Sequence, residues 1–121
     1  MFPEWPRRGV NETQRIYDLH VRIATNQPAC VAPIGQAWEL SLKRYPMMLL
    51  HDADGNHARA TGSFLTALIL FSTLTDSAPS KLPAFAGLGI SEADQVHLRE
   101  IATEQVALLS PRLHCPNDRK L

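Results

Sequence analysis

One short apolar segment constrains this chain more than any other: Ala29-Cys30-Val31-Ala32-Pro33, the best strand in a sequence whose remaining patterns are helical. A lone parallel strand leaves main-chain donors and acceptors unpaired on both edges. Its partners must come from the ends of this chain or from another polypeptide.

Helical periodicity surrounds that segment. The spacing predicts a helix over Glu12 to Asn26 with Asn11 as N-cap, in which Ile16, Tyr17, Leu19, Val21, Ile23 and Ala24 form an apolar arc. His20 lies within that arc and reads as a hydrogen-bonded histidine at the core boundary. A second helix is expected over Gln36 to Arg44, closed by Pro46, with Trp38 as a core anchor; Met47 to Leu50 then reads as extended. Thr61 to Leu74 is apolar nearly all round and should be a helix buried on most faces. Ser91-Glu92-Ala93-Asp94 has the residues of an N-terminal cap for a last helix, which carries Leu98, Ile101, Ala102, Leu108 and Leu109 on one face and stops by Pro111. Residues 1 to 9 should be irregular, 75 to 89 a loop, and 111 to 121 a loose polar tail.

Charge and length narrow the function classes. Twelve basic and twelve acidic residues cancel in a chain of 121, so nothing favours nucleic acid or an anionic membrane as partner. The longest apolar run, Phe64 to Leu74, falls well short of the ~20 residues needed to span a bilayer. No apolar stretch follows the first basic residues as a secretory leader would require. Cys30 and Cys115 occupy no metal-ligand spacing and are expected to be reduced, Cys30 as a small buried hydrophobe. A cytoplasmic location follows from these expectations.

The chemistry-bearing motif is Asp54-Gly55-Asn56-His57, on a loop that leads into the apolar helix. A carboxylate three residues before an imidazole suits a general base, because the carboxylate can hold one ring nitrogen while the other meets the reacting proton. Calcium is a poor alternative for the acidic loop. His57 stands where the sixth-position glycine should be, and Ser63 where the bidentate Glu belongs. His51, Asp54 and His57 match no established zinc spacing, and no metal or cofactor is expected.

This segment resembles the last block of the SGNH or GDSL serine esterases and lipases, in which an Asp-x-x-His pair precedes a small-residue turn, a glycine and a buried helix. The resemblance runs backwards in order. Glu4-Trp5-Pro6-Arg7-Arg8-Gly9 resembles a loop after the family's penultimate core strand, and residues 12 to 26 the helix beyond it. Val31-Ala32-Pro33-Ile34-Gly35-Gln36-Ala37-Trp38 is similar to the last core strand and the following helix entry, so that residues 4 to 76 are covered. The resemblance implies the C-terminal part of a three-layer α/β/α, flavodoxin-like fold with one or two short parallel strands, here a single partial domain. It also implies His57 as general base and Asp54 as the carboxylate that orients it.

Two departures qualify the match. Ala58 and Arg59 replace the usual Pro-Ser after the histidine, placing a cation near the pair. No Gly-Asp-Ser block is present, and none of Ser41, Ser63, Ser72, Ser77, Ser80, Ser91 or Ser110 lies in Gly-Asp-Ser or G-x-S-x-G. Ser63 reads as a packing or capping residue. The expectation is therefore an ester-hydrolase fragment that carries only the Asp-His part and is inactive alone, completed by a separate N-terminal portion. The alternative is a small helical module, not an enzyme, that self-associates.

Overall fold

In the computed structural model, which describes residues 1–116, the chain is helical. Four α-helices, α1 (Thr13–Asn26), α2 (Ile34–Arg44), α3 (Ala60–Thr75) and α4 (Glu92–Leu108), are joined by loops and one 3-10 turn, Pro79–Lys81. The α/β expectation is overturned. No sheet forms among the described residues, whose one β-bridge pairs His51 with Ala58.

The physical reason lies at the expected strand. Residues 29 to 33 are flanked by Met1 and by Pro111 in the turn after α4, but each supplies isolated main-chain bonds and not a run in register. Val31 N–H donates to Pro111 O at 2.9 Å and Ala32 N–H to Met1 O at 2.9 Å, while the Met1 ammonium donates to Cys30 O at 2.6 Å. Backbone satisfaction is reached without a ladder.

α2, α3 and α4 share the main core, in which Ile34, Trp38, Leu50, Leu65, Leu68, Ile69, Leu98 and Ile101 are buried. Each of the three packs on both of the others. α3 buries Leu65, Leu68 and Ile69 but leaves Leu74 exposed at its C-terminal end. The last helix starts as its sequence directs: Ser91 Oγ accepts from Asp94 N–H at 3.1 Å. Buried Gln95 then ties the preceding loop down, since its side chain bonds both main-chain groups of Phe85 and the carbonyl of Ile90.

α1 packs on α2 alone among the helices. Thr13, Tyr17 and Ala24 are its buried residues: Thr13 lies against Gly35 of α2, and Tyr17 and Ala24 join Val31 in a smaller second cluster. The predicted apolar arc is thus only half covered: Leu19 and Ile23, on the neighbouring stripe, are 46% and 45% exposed. Asn11 does not cap this helix. Glu12 holds the N-cap position and makes no side-chain cap bond. His20 Nδ1 lies 2.8 Å from Ile16 O.

A second correction concerns the cysteines. Cys30 and Cys115 form a disulfide across 85 residues, fastening the segment after α4 to the segment before α2. Their separation in sequence concealed this, because it takes α4 and the turn after it to carry Cys115 back to the second cluster. The expected loose tail is therefore anchored as far as Cys115, and residues 117 to 121 lie outside those described. No helix among the described residues is long and apolar enough to cross a membrane.

Candidate active site

The Asp54–His57 loop is built by local chemistry first. Asp54 Oδ1 accepts from the main-chain N–H groups of Asn56 (2.9 Å) and His57 (3.0 Å), closing an Asx turn. Gly55 takes the left-handed conformation the turn needs, with φ +69°. Outside the turn, Asp52 N–H donates to His57 O at 2.7 Å and Arg59 N–H to Leu50 O at 2.8 Å, so the loop's two limbs are stitched together before α3 begins.

The N-terminal segment then clamps the loop from outside. Trp5 Nε1–H donates to Asn56 O at 3.0 Å and Arg7 Nε–H to Asn56 Oδ1 at 3.1 Å. Arg8 N–H donates to Gly55 O at 2.8 Å, and its guanidinium reaches Asp52 O at 2.8 Å. In return, His51 Nε2 meets Pro6 O at 3.0 Å. These bonds join residues more than 40 positions apart, and sequence periodicity carries no signal for them.

Within this frame the two predicted site residues are brought together. His57 Nδ1 lies 2.5 Å from Asp54 Oδ2, with Oδ1 already held by main-chain donors. Against the Asp54 carboxylate Nδ1–H is the donor, so in the neutral ring Nε2 is the acceptor. The imidazole is 77% exposed, so Nε2 faces solvent.

The charges reinforce one another. Asp54 is held far below the usual carboxylate range, chiefly by the Asn56 N–H, then by the His57 ring and the His57 N–H. His57 is raised by its bond to Asp54 and by that carboxylate's charge, with Asp52 adding to the effect and Arg7 opposing it. Arg59 is not the opposing cation expected from its position in sequence. It turns to Asp52, at 3.9 Å.

His57 opens onto a hollow of about 480 Å³ that Glu4, Trp5, Asn56, Ala58 and Ser63 also line. Ser63 is exposed there and is neither the packing nor the capping residue expected from its place at the head of an apolar helix: Arg59 holds the N-cap position of α3, which has no side-chain cap bond. No hydrogen bond joins Ser63 to His57 among the described residues, whereas the other serines lie elsewhere: Ser41 and Ser72 are buried in helices and Ser91 caps α4. His51, the other histidine of the loop, is buried with its ring edge on Trp38 and its Nε2 at Pro6 O, so it does not converge with Asp54 and His57. Among the described residues no three His, Cys, Asp or Glu side chains come together as a metal site would require.

Gly62 was legible as the glycine between the motif and the buried helix, without a reason for it. A Cβ there would lie 2.5 Å from Leu50 O and 2.6 Å from two ring carbons of Trp38, so α3 reaches the loop only because position 62 has no side chain. Comparison with protein-family models, with curated proteins and with solved structures finds no match.

Proposed function

We propose that this chain contributes the acid–base half of an ester-hydrolysing site, with His57 as general base, Asp54 as the carboxylate that orients it, and the serine nucleophile supplied from outside this sequence. The observation that carries the reading is the Asp54–His57 pair itself: an imidazole fixed in one tautomer whose second nitrogen faces an open hollow. The Oδ1 bonds belong to the Asx turn itself, whereas the contact of Oδ2 with the imidazole is one that turn does not require. The SGNH or GDSL resemblance of residues 4 to 76 supports the same roles, and only the roles, because its sheet is absent here.

In this scheme His57 Nε2 takes the proton of the incoming serine hydroxyl as its oxygen attacks the ester carbonyl, and later returns that proton to the leaving alcohol. Asp54 stabilises the imidazolium in between. Without the nucleophile and its oxyanion donors, these groups retain little acyl-transfer power, since they act as a unit.

The test is p-nitrophenyl acetate hydrolysis by the purified chain and by His57→Ala, alone and co-expressed with the polypeptide encoded immediately upstream. The reading requires a Gly-Asp-Ser block in that polypeptide, slow hydrolysis by the chain alone, and a rate on co-expression that His57→Ala abolishes. Equal rates for the two co-expressed forms would sink it.

A second reading, self-association of a helical module, is favoured by the uncovered Leu19–Ile23 stripe of α1. Sedimentation equilibrium of the wild type and of Leu19→Lys decides it. A dimer that the substitution dissociates supports this reading, and a monomeric wild type removes it. On location, the Cys30–Cys115 disulfide favours a non-reducing compartment over the cytoplasm expected from sequence.

A further inference from the structure

A second concavity, of about 270 Å³, lies between the N-terminal segment and α2. Trp5, Val10, Trp38 and Leu42 supply its apolar lining, and Arg7 and Arg8 also border it. Trp5 is shared with the hollow beside His57. The volume sits just below the ~300 Å³ at which pockets for drug-sized ligands begin, which suits a small molecule with a short apolar tail.

The two arginines set the ligand's charge. Arg15, Arg44, Arg59 and Arg112 each lie within 4.0 Å of a carboxylate. Among the described residues, Arg7 and Arg8 do not, nor do Arg22 and Arg99, and of these four only Arg7 and Arg8 border the groove. Their recorded bonds go to neutral oxygens only: Arg7 Nε–H to the Asn56 amide oxygen, and one Arg8 nitrogen to the carbonyls of His51 and Asp52. Both Nη groups of Arg7, and Nε and Nη1 of Arg8, have no acceptor among the described residues. Two guanidiniums with donors to spare, held beside an apolar hollow by bonds to a fixed loop, match a planar anion.

We propose that this groove binds a short-chain carboxylate, its tail against Trp5, Val10 and Leu42 and its head group on Arg7 and Arg8. Glu39 borders the same groove, is exposed and has no cationic partner among the described residues. It opposes the anion. Removing its charge therefore tightens hexanoate binding more than hexanol binding, a difference that non-specific hydrophobic adsorption would not produce. The site does not depend on the role assigned to His57.

Hexanoate is the probe, titrated into the full chain and followed by tryptophan emission and by main-chain amide shifts. Saturable binding is expected, with shifts concentrated at residues 5 to 11 and 35 to 42. Hexanol should bind about tenfold more weakly, because it lacks the charge that the guanidiniums meet. Arg7→Gln, at an exposed position outside the helices, should weaken hexanoate by a similar factor. Glu39→Gln should strengthen it, and His57→Ala should leave it unchanged, so that failure of the hydrolase reading and failure of this site are told apart. Hexanol binding as well as hexanoate, shifts centred elsewhere, or a Glu39→Gln variant that binds no better would each overturn the proposal.

Discussion

Trp5 and Trp38 stack face to face, their ring centroids 4.3 Å apart and their planes within 1° of parallel. Each indole also spends its N–H on a different element, Trp5 on Asn56 O and Trp38 on Thr66 Oγ1 at 3.1 Å. The pair therefore links the N-terminal segment, α2, α3 and the Asp54–His57 loop. Neither tryptophan belongs to the loop, yet both hold it.

The stack gives the first prediction. Trp5→Ala should cost about 2–3 kcal/mol, below the range for a fully buried Trp because Trp5 is only half-buried. Trp5→Phe keeps an aromatic face against Trp38 but loses the bond to Asn56, and should cost about 1 kcal/mol. Urea denaturation measures both, and faster amide exchange at Asn56 and His57 in Trp5→Phe would locate the loss.

Position 62 offers a test of sign. In an exposed helix interior, Gly→Ala stabilises by about 1 kcal/mol. Here the new methyl would meet Leu50 O and the Trp38 ring at 2.5 and 2.6 Å. Leu50 O cannot retreat freely, because it also accepts the Arg59 N–H that starts α3. Gly62→Ala should therefore destabilise by about 3 kcal/mol in thermal melts.

The Asp54–His57 pair makes a pH prediction. His57 is raised in the folded state, so its contribution is complete below its ordinary value near ~6.5 and is lost as pH rises through the higher folded value. Asp54 is depressed, so its contribution is complete above ~3.9 and is lost as pH falls through the lower folded value. The mutual stabilisation is greatest between those limits. In NMR titrations His57 should have a midpoint above that of an unperturbed histidine, and Asp54→Asn should bring it down.

Opening the disulfide should cost more than any loop change. Its 85-residue separation corresponds to about 4–5 kcal/mol in the chain-entropy treatment. Cys115→Ser should show a loss of about 3–5 kcal/mol in guanidinium unfolding, and reductant should lower the wild type to the same level. A wild type insensitive to reductant would contradict the pairing.

The legible part of this protein was local. Apolar spacing located all four helices, and Ser91 marked the start of α4 through the side-chain bond it makes. The Asp54–His57 contact was also foreseeable, because three residues around a glycine turn suffice to close it. Arg59, by contrast, was adjacent in sequence and still turned to Asp52, since a side chain's partner depends on which way its loop limb faces.

What the sequence by itself determined is therefore the four helices of the described residues and the Asp-His pair, because both arise from interactions among residues a few positions apart. Tertiary structure decided the rest. Whether residues 29 to 33 became a strand depended on what distant residues offered, and Met1 offered two bonds and Pro111 one. Whether Cys30 stayed reduced depended on where α4 delivered Cys115. Whether α1's apolar arc was covered depended on how many helices reached it, and only α2 did. Partners tens of residues apart leave no periodic trace in the chain; they meet because burying the core around Trp38 brings their elements together.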